Sequence, residues 1–236
     1  MYGVYCKEMT TVVEVGKYNQ LKVLRKVEFG LYLDDGKDGI LLPKRFVPAN
    51  AREGDTLTVF VYHDSEDRLV ATTQQPKAVL GDIAFLTCVG STPQGAFLDM
   101  GLMKDLFVPK SRQQYKMFTN GQYWVKVYLD EETGRMAATS KLDSGFSNDV
   151  LTVKEKEEVT LKAYRKTDIG ILVIINDIHT GVLHYNEIFR NIEVGDCFKG
   201  FIRAIHPEGN KIDVIVGKPG FQRVDAESEK ILSLLE

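Results

Sequence analysis

Three stretches of this chain repeat one another, and a repeat constrains a fold more tightly than any single motif, because every copy has to adopt the same small structure. The first is centred on Gly30, where Glu28-Phe29-Gly30-Leu31-Tyr32-Leu33 follows the run Leu21 to Val27 and precedes Asp38-Gly39-Ile40-Leu41-Leu42-Pro43-Lys44. The second, Pro93-Gln94-Gly95-Ala96-Phe97-Leu98-Asp99, lies between Ile83 to Gly90 and Lys104-Asp105-Leu106-Phe107-Val108-Pro109-Lys110. The third, Asp168-Ile169-Gly170-Ile171-Leu172-Val173, lies between Val159 to Lys166 and Thr180-Gly181-Val182-Leu183-His184-Tyr185-Asn186. Each copy continues through a further glycine (Gly54, Gly121, Gly195) into an alternating apolar strand, then through a polar turn into a last strand. Five short strands with period-two alternation predict a small five-stranded barrel, and no long window carries the 3.6-residue spacing of an amphipathic helix.

Three barrels in tandem follow: residues 1–75, 76–142 and 143–217, in an all-β chain. The short, proline-bearing connection Gln74-Gln75-Pro76-Lys77 predicts a fairly fixed arrangement of barrels one and two, whereas Lys141 to Asp149 reads as a polar linker to a freer third. Beyond Gly217-Lys218-Pro219-Gly220 a short C-terminal helix is expected, with Asp225 as its N-cap and Ile231, Leu232 and Leu235 as an apolar stripe.

Of the 236 residues 44% are hydrophobic and 27% charged, enough to bury cores, and the formal net charge is -3. That charge opposes broad phosphate affinity, so any nucleic-acid contact has to be local and assisted by stacking. Cys6, Cys88 and Cys197 show no C-x-x-C spacing, and the N-terminal segment to Gly16 lacks a continuous apolar run, so a cytoplasmic protein without signal peptide or membrane anchor is expected. No phosphate-cradling glycine loop occurs, and the histidines His63, His179, His184 and His206 lack metal-ligand spacing. The paired carboxylates Asp34-Asp35 and Asp130-Glu131-Glu132 fall in predicted turns. Neither catalysis, cofactor nor metal is expected.

The pattern Phe29-Gly30-Leu31-Tyr32-Leu33-Asp34, with Gln94-Gly95-Ala96-Phe97-Leu98-Asp99 and Gly181-Val182-Leu183-His184 behind it, resembles the S1-type RNA-binding repeat named after a large ribosomal protein. That resemblance implies three five-stranded OB-fold barrels. Leu41-Leu42-Pro43-Lys44, Tyr62 to Thr73, Lys104-Asp105-Leu106 and Val127 to Glu131 are together similar to the bacterial conserved virulence factor B family. The family resemblance implies an RNA-binding regulator whose C-terminal winged helix would start within residues 218–236.

Single-stranded RNA is held by flat side chains stacked on unpaired bases and by cations along the phosphates. In barrel one Phe29 and Tyr32 are the expected stacking pair, brought to one face by a bulge at Gly30, with Lys44, Arg45, His63 and Arg68 around them. Barrel two offers Phe97 with Lys110, Arg112 and Lys116 in one polar loop together with Arg135, while Gln94 stands where an aromatic would be expected. Barrel three has Ile169 and Leu172 at the stacking positions and is expected to keep some contact only through His184, Tyr185, Arg165 and Lys166. The expectation is therefore a non-catalytic binder of single-stranded RNA acting through barrels one and two, with other proteins as further partners and no membrane. Its rivals are a protein-interaction scaffold and an accessory subunit of an RNA-processing enzyme.

Overall fold

The alternating strands do what their pattern dictates. The structure, a computed structural model, describes residues 12–217. In barrel one, β1 (Tyr18–Val27), β2 (Gly30–Leu33), β3 (Ile40–Pro43), β4 (Thr56–His63) and β5 (Leu69–Thr72) close in the order β1-β2-β3-β5-β4. Barrel two repeats this with β6 (Ile83–Ser91), β7 (Gly95–Leu98), β8 (Leu106–Pro109), β9 (Gln122–Leu129) and β10 (Met136–Thr139). Barrel three does so with β11 (Glu158–Lys166), β12 (Gly170–Ile175), β13 (His179–His184), β14 (Cys197–His206) and β15 (Lys211–Ile215). Closure depends each time on one parallel pairing, Leu41 with Val70, Phe107 with Ala137, and Val182 with Asp213. It leaves no strand edge exposed, which suits modules this small.

Alternate residues of every strand fill a barrel. Leu21, Val23, Leu31, Leu33, Ile40 and Leu42 are all buried in barrel one. Each such side chain contributes on the order of 1.5–3 kcal/mol when it leaves water. On β2 the inward Leu31 and Leu33 flank the outward Tyr32, as Ala96 and Leu98 flank Phe97 on β7, and Ile171 and Val173 flank Leu172 on β12.

The repeated glycine at the head of the second strand has a steric cause. A Cβ on Gly30 would lie 2.1 Å from the Leu42 carbonyl oxygen, on Gly95 2.3 Å from that of Val108, and on Gly170 2.3 Å from that of Leu183. The second and third strands approach so closely there that no side chain fits. This corrects the expected bulge at Gly30: the irregularity lies on the first strand, between Val23 and Arg25, and again between Cys88 and Gly90 and between Ala163 and Arg165. Phe29 precedes β2, in the turn.

The chain divides into two compact units, one ending at Ser140 and the other starting at Lys141. In the first unit barrels one and two share an apolar seam: Phe60, Tyr62 and Val70, on the outside of barrel one, are buried with Val79, Leu102 and Met136 against them. In the second unit the expected linker is held at its C-terminal end rather than free. The Asn148 amide donates to the carbonyls of Thr180 and Asn210 and accepts from the Thr180 N–H, and the buried His179 ring is bonded to the Ser147 carbonyl through Nδ1 and to Thr152 through Nε2. The expected C-terminal helix and winged-helix start, in residues 218–236, lie outside the described residues.

Candidate nucleic-acid interface

Because Phe29 sits in the turn that joins β1 to β2, its ring is free of the strand alternation and is 57% exposed. Tyr32 points outward from β2, half-buried, and the two rings meet edge to face with centroids 6.4 Å apart. Both therefore face away from the barrel core. Arg25 stands opposite Tyr32 in the β1–β2 pairing, and its guanidinium lies 4.5 Å from the Tyr32 ring centroid. Sequence counting missed Arg25, because the irregularity after Val23 shifts the register of the hairpin. One face of Tyr32 is thus covered by a flat cation, itself a surface on which a base can stack.

Lys44 and Arg45 follow on an exposed 3-10 turn after β3, where the Lys44 N–H donates to the Phe29 carbonyl (2.9 Å) and so ties the turn to the ring. Arg45 packs 4.8 Å over Phe46. Among the described residues Arg25, Lys26, Lys44 and Arg45 have no ion-pair partner, so their charge is available to an external anion.

His63, Arg68 and Arg135 lie elsewhere. Arg68 is neutralised in its own turn by Asp64 (2.7 Å) and Glu66 (2.8 Å). Arg135 of barrel two is ion-paired with Asp67 of barrel one, and the Lys104 ammonium donates to the Asp64 carbonyl (2.6 Å). These cations bind one barrel to its neighbour. His63 ends β4 beside them: burial, then the nearby Lys104 and Arg135, holds its imidazole below the ordinary value, and Nδ1 finds no hydrogen-bond partner among the described residues.

Phe97 pairs with Phe107 of β8, ring centroids 5.2 Å apart, and Phe107 was not foreseen. Both rings line a cavity of about 480 Å³ at the seam of the two barrels, floored by Met100 and Leu102. Its charged lining, Lys104 and Arg135 against Asp105, Asp130 and Glu132, is formally negative. Lys110 and Arg112 instead occupy the exposed 3-10 turn after β8, where Arg112 lies 5.5 Å over Tyr128.

In barrel three several cations are engaged in ion pairs. Lys166 pairs with Glu193, Arg203 with Glu187, and Lys162 with Asp177. His184 on β13 and His206 on β14 both donate to Asp213 of β15, at 3.1 and 2.9 Å. Twenty-two residues of sequence separate the histidines, so only the strand order β13-β15-β14 brings them together. Among the described residues no three histidine, cysteine or carboxylate side chains are grouped to hold a metal ion.

Burial pushes the Asp213 carboxyl up, but the hydrogen bonds from His206 and His184 outweigh it and hold the group below the usual carboxylate range. A group depressed in the folded state stabilises the fold above its unfolded value, about 3.9, and that stabilisation is lost as pH falls through the lower folded value. Asp213→Asn is accordingly expected to lower the melting temperature at pH 7, with the difference from the parent shrinking below about pH 4. Thermal melts of both proteins between pH 7 and pH 3 check this, and a difference that is unchanged or widens toward acid would refute it.

The S1 domain family matches residues 15–74, the whole of barrel one. The chain is 26% identical over 224 residues to YitL of Bacillus subtilis, a span of 90% of this chain and 74% of that protein. It is 23% identical over 192 residues to a conserved virulence factor B of Staphylococcus epidermidis, covering 77% of this chain and 63% of the relative, less than two thirds of its length. A multidomain protein with nucleic acid binding domains from Streptococcus pneumoniae superposes with a TM-score of 0.50 at 16% identity, over 94% of this chain and 80% of that one, a likeness of fold. No helix among the described residues is long and apolar enough to cross a membrane. With an S1 domain match over barrel one, two more barrels of the same strand order behind it, and these proteins among its matches, the chain is similar to the conserved virulence factor B proteins.

Proposed function

We propose that this chain binds single-stranded RNA and does so without catalysis, chiefly through barrels one and two, as a post-transcriptional or virulence-type regulator. The observation that carries the reading is the corner of barrel one. Exposed Phe29, outward Tyr32 and the flat Arg25 guanidinium adjoin the turn that carries Lys44 and Arg45, cations that have no carboxylate partner among the described residues. A chain of net charge -3 can hold a polyanion if its unpaired cations gather where the stacking rings are, and here they do. The nucleic acid binding domains of the pneumococcal structure and the S1 match at barrel one favour the same reading.

Barrel three lacks the ring pair at the corresponding corner. Ile169 and Leu172 stand in place of the rings, Asp213 sits on the outer face, and Lys162, Lys166 and Arg203 are engaged in ion pairs. That observation favours protein contacts for barrel three, the scaffold reading confined to one module.

Titration of fluorescein-labelled unstructured RNA by anisotropy, against a duplex and against DNA of the same sequence, tests the proposal. Single strands are expected to bind more tightly than duplex. Engagement of about three cations gives a logarithmic salt slope near roughly -2. Equal affinity for duplex, or no binding at 50 mM salt, would end the proposal, and RNA cut in the presence of magnesium would end its non-catalytic part.

A further inference from the structure

The corner that carries Phe29 in barrel one has a counterpart in barrel two, and the backbone proves the equivalence. Lys44 N–H donates to the Phe29 carbonyl in the first barrel, and Lys110 N–H donates to the Gln94 carbonyl (2.8 Å) in the second. Gln94 supplies no ring. The same corner nevertheless opens into a cavity of about 480 Å³ lined by Thr92 and Pro93 of the β6–β7 turn and by Lys110, Gln113, Tyr115 and Lys116 of the segment after β8. Tyr115 is 73% exposed there.

Three features mark this cavity as a built one. Its lining contains no carboxylate, whereas the seam cavity of equal volume has three. Lys110 and Lys116 have no ion-pair partner among the described residues. The segment that presents Tyr115 is pinned on both sides, for the Gln113 amide donates to the Val108 carbonyl (3.0 Å) and accepts from the Met117 N–H (3.3 Å), while Met117 is fully buried in the core of barrel two. An exposed ring on an anchored segment loses little conformational freedom on binding.

We propose that this corner pocket is a second nucleotide site, in which Tyr115 supplies from the following loop the ring that position 94 lacks, and Lys110 and Lys116 hold the flanking phosphates. The ligand is one unpaired nucleotide of a single-stranded RNA. The site rests on the RNA-binding reading above and extends it: the two barrels present corresponding corners to one strand, using rings from different places in the repeat. The volume suits such an occupant, since small-molecule sites fall at roughly 300–1,000 Å³.

The test uses the full chain and fluorescein-labelled oligouridylate of twelve nucleotides. Tyr115→Ala is expected to weaken binding about fivefold or more, the lower end of what one stacked base contributes, and Tyr115→Phe to keep the affinity. Lys110→Gln combined with Lys116→Gln should flatten the logarithmic salt slope by about 1.4. Parent protein that binds the oligonucleotide while Tyr115→Ala binds equally well, with the slope of the lysine variant unchanged, overturns the site and leaves barrel one as the binder. Parent protein that binds no oligouridylate at all overturns the RNA reading and this site with it. Matching thermal melts for parent and variants show that the fold is intact.

Discussion

Phe29→Ala combined with Tyr32→Ala is expected to lower the affinity for unstructured RNA by at least about 30-fold while the melting temperature moves by only a few degrees. The affinity figure follows from stacking, on the order of 1–3 kcal/mol for each base on an aromatic ring, taken at its lower end for two rings. The small stability effect follows from position. Phe29 is 57% exposed and outside the strand, and Tyr32 projects from the outer surface of β2, so the barrel keeps Leu31, Leu33 and the rest of its interior. Because the rings touch each other and Arg25 covers Tyr32, the two single variants are expected to be non-additive. Anisotropy titrations of parent, single and double variants measure both effects. Undiminished affinity in a folded double variant would assign the pair to surface packing and remove the main support for RNA recognition.

Gly170→Ala is expected to be among the most damaging single-methyl changes in the third barrel. Its Cβ would stand 2.3 Å from the Leu183 carbonyl oxygen and 2.9 Å from the His184 Cα, both backbone atoms that no rotamer change can move. Relief requires β12 to separate from β13, which breaks the pairing that starts with Gly170 and His184. Overpacking of this kind costs about 3 kcal/mol. For a module of this size that corresponds to a fall of roughly 12–24 °C in melting temperature. Differential scanning calorimetry or circular dichroism of the variant gives the answer. A shift under a few degrees would mean that the strands tolerate a wider spacing than the packed barrel indicates.

Those two results bear on different links between sequence and function. The glycine was visible as a repeat because steric exclusion by a neighbouring strand operates identically in all three copies, so the same residue recurs at 30, 95 and 170. The cause was not visible: a bulge at Gly30 and close approach to β3 leave the same trace in one dimension, and the irregularity proved to be on β1. The cations were hardest to read. Arg68 and Arg135 look equivalent to Lys44 and Arg45 in sequence, yet Asp64 occupies Arg68 within one turn, and Asp67 occupies Arg135 because that turn faces barrel two. Tyr115 was passed over since it stands 21 residues beyond Gln94 and no periodicity relates them.

Local alternation and repetition were enough to determine three five-stranded barrels and their order along the chain. Such features depend on contacts between residues near in sequence, or on rules that every copy obeys. Which charges remain unpaired, that His184 and His206 share Asp213, and that Pro93 and Tyr115 line one cavity were decided only in three dimensions. The physical reason is that ion pairing and cavity lining depend on the distance between strands and loops that the chain brings together after long excursions, and charge along a sequence carries no record of its partner.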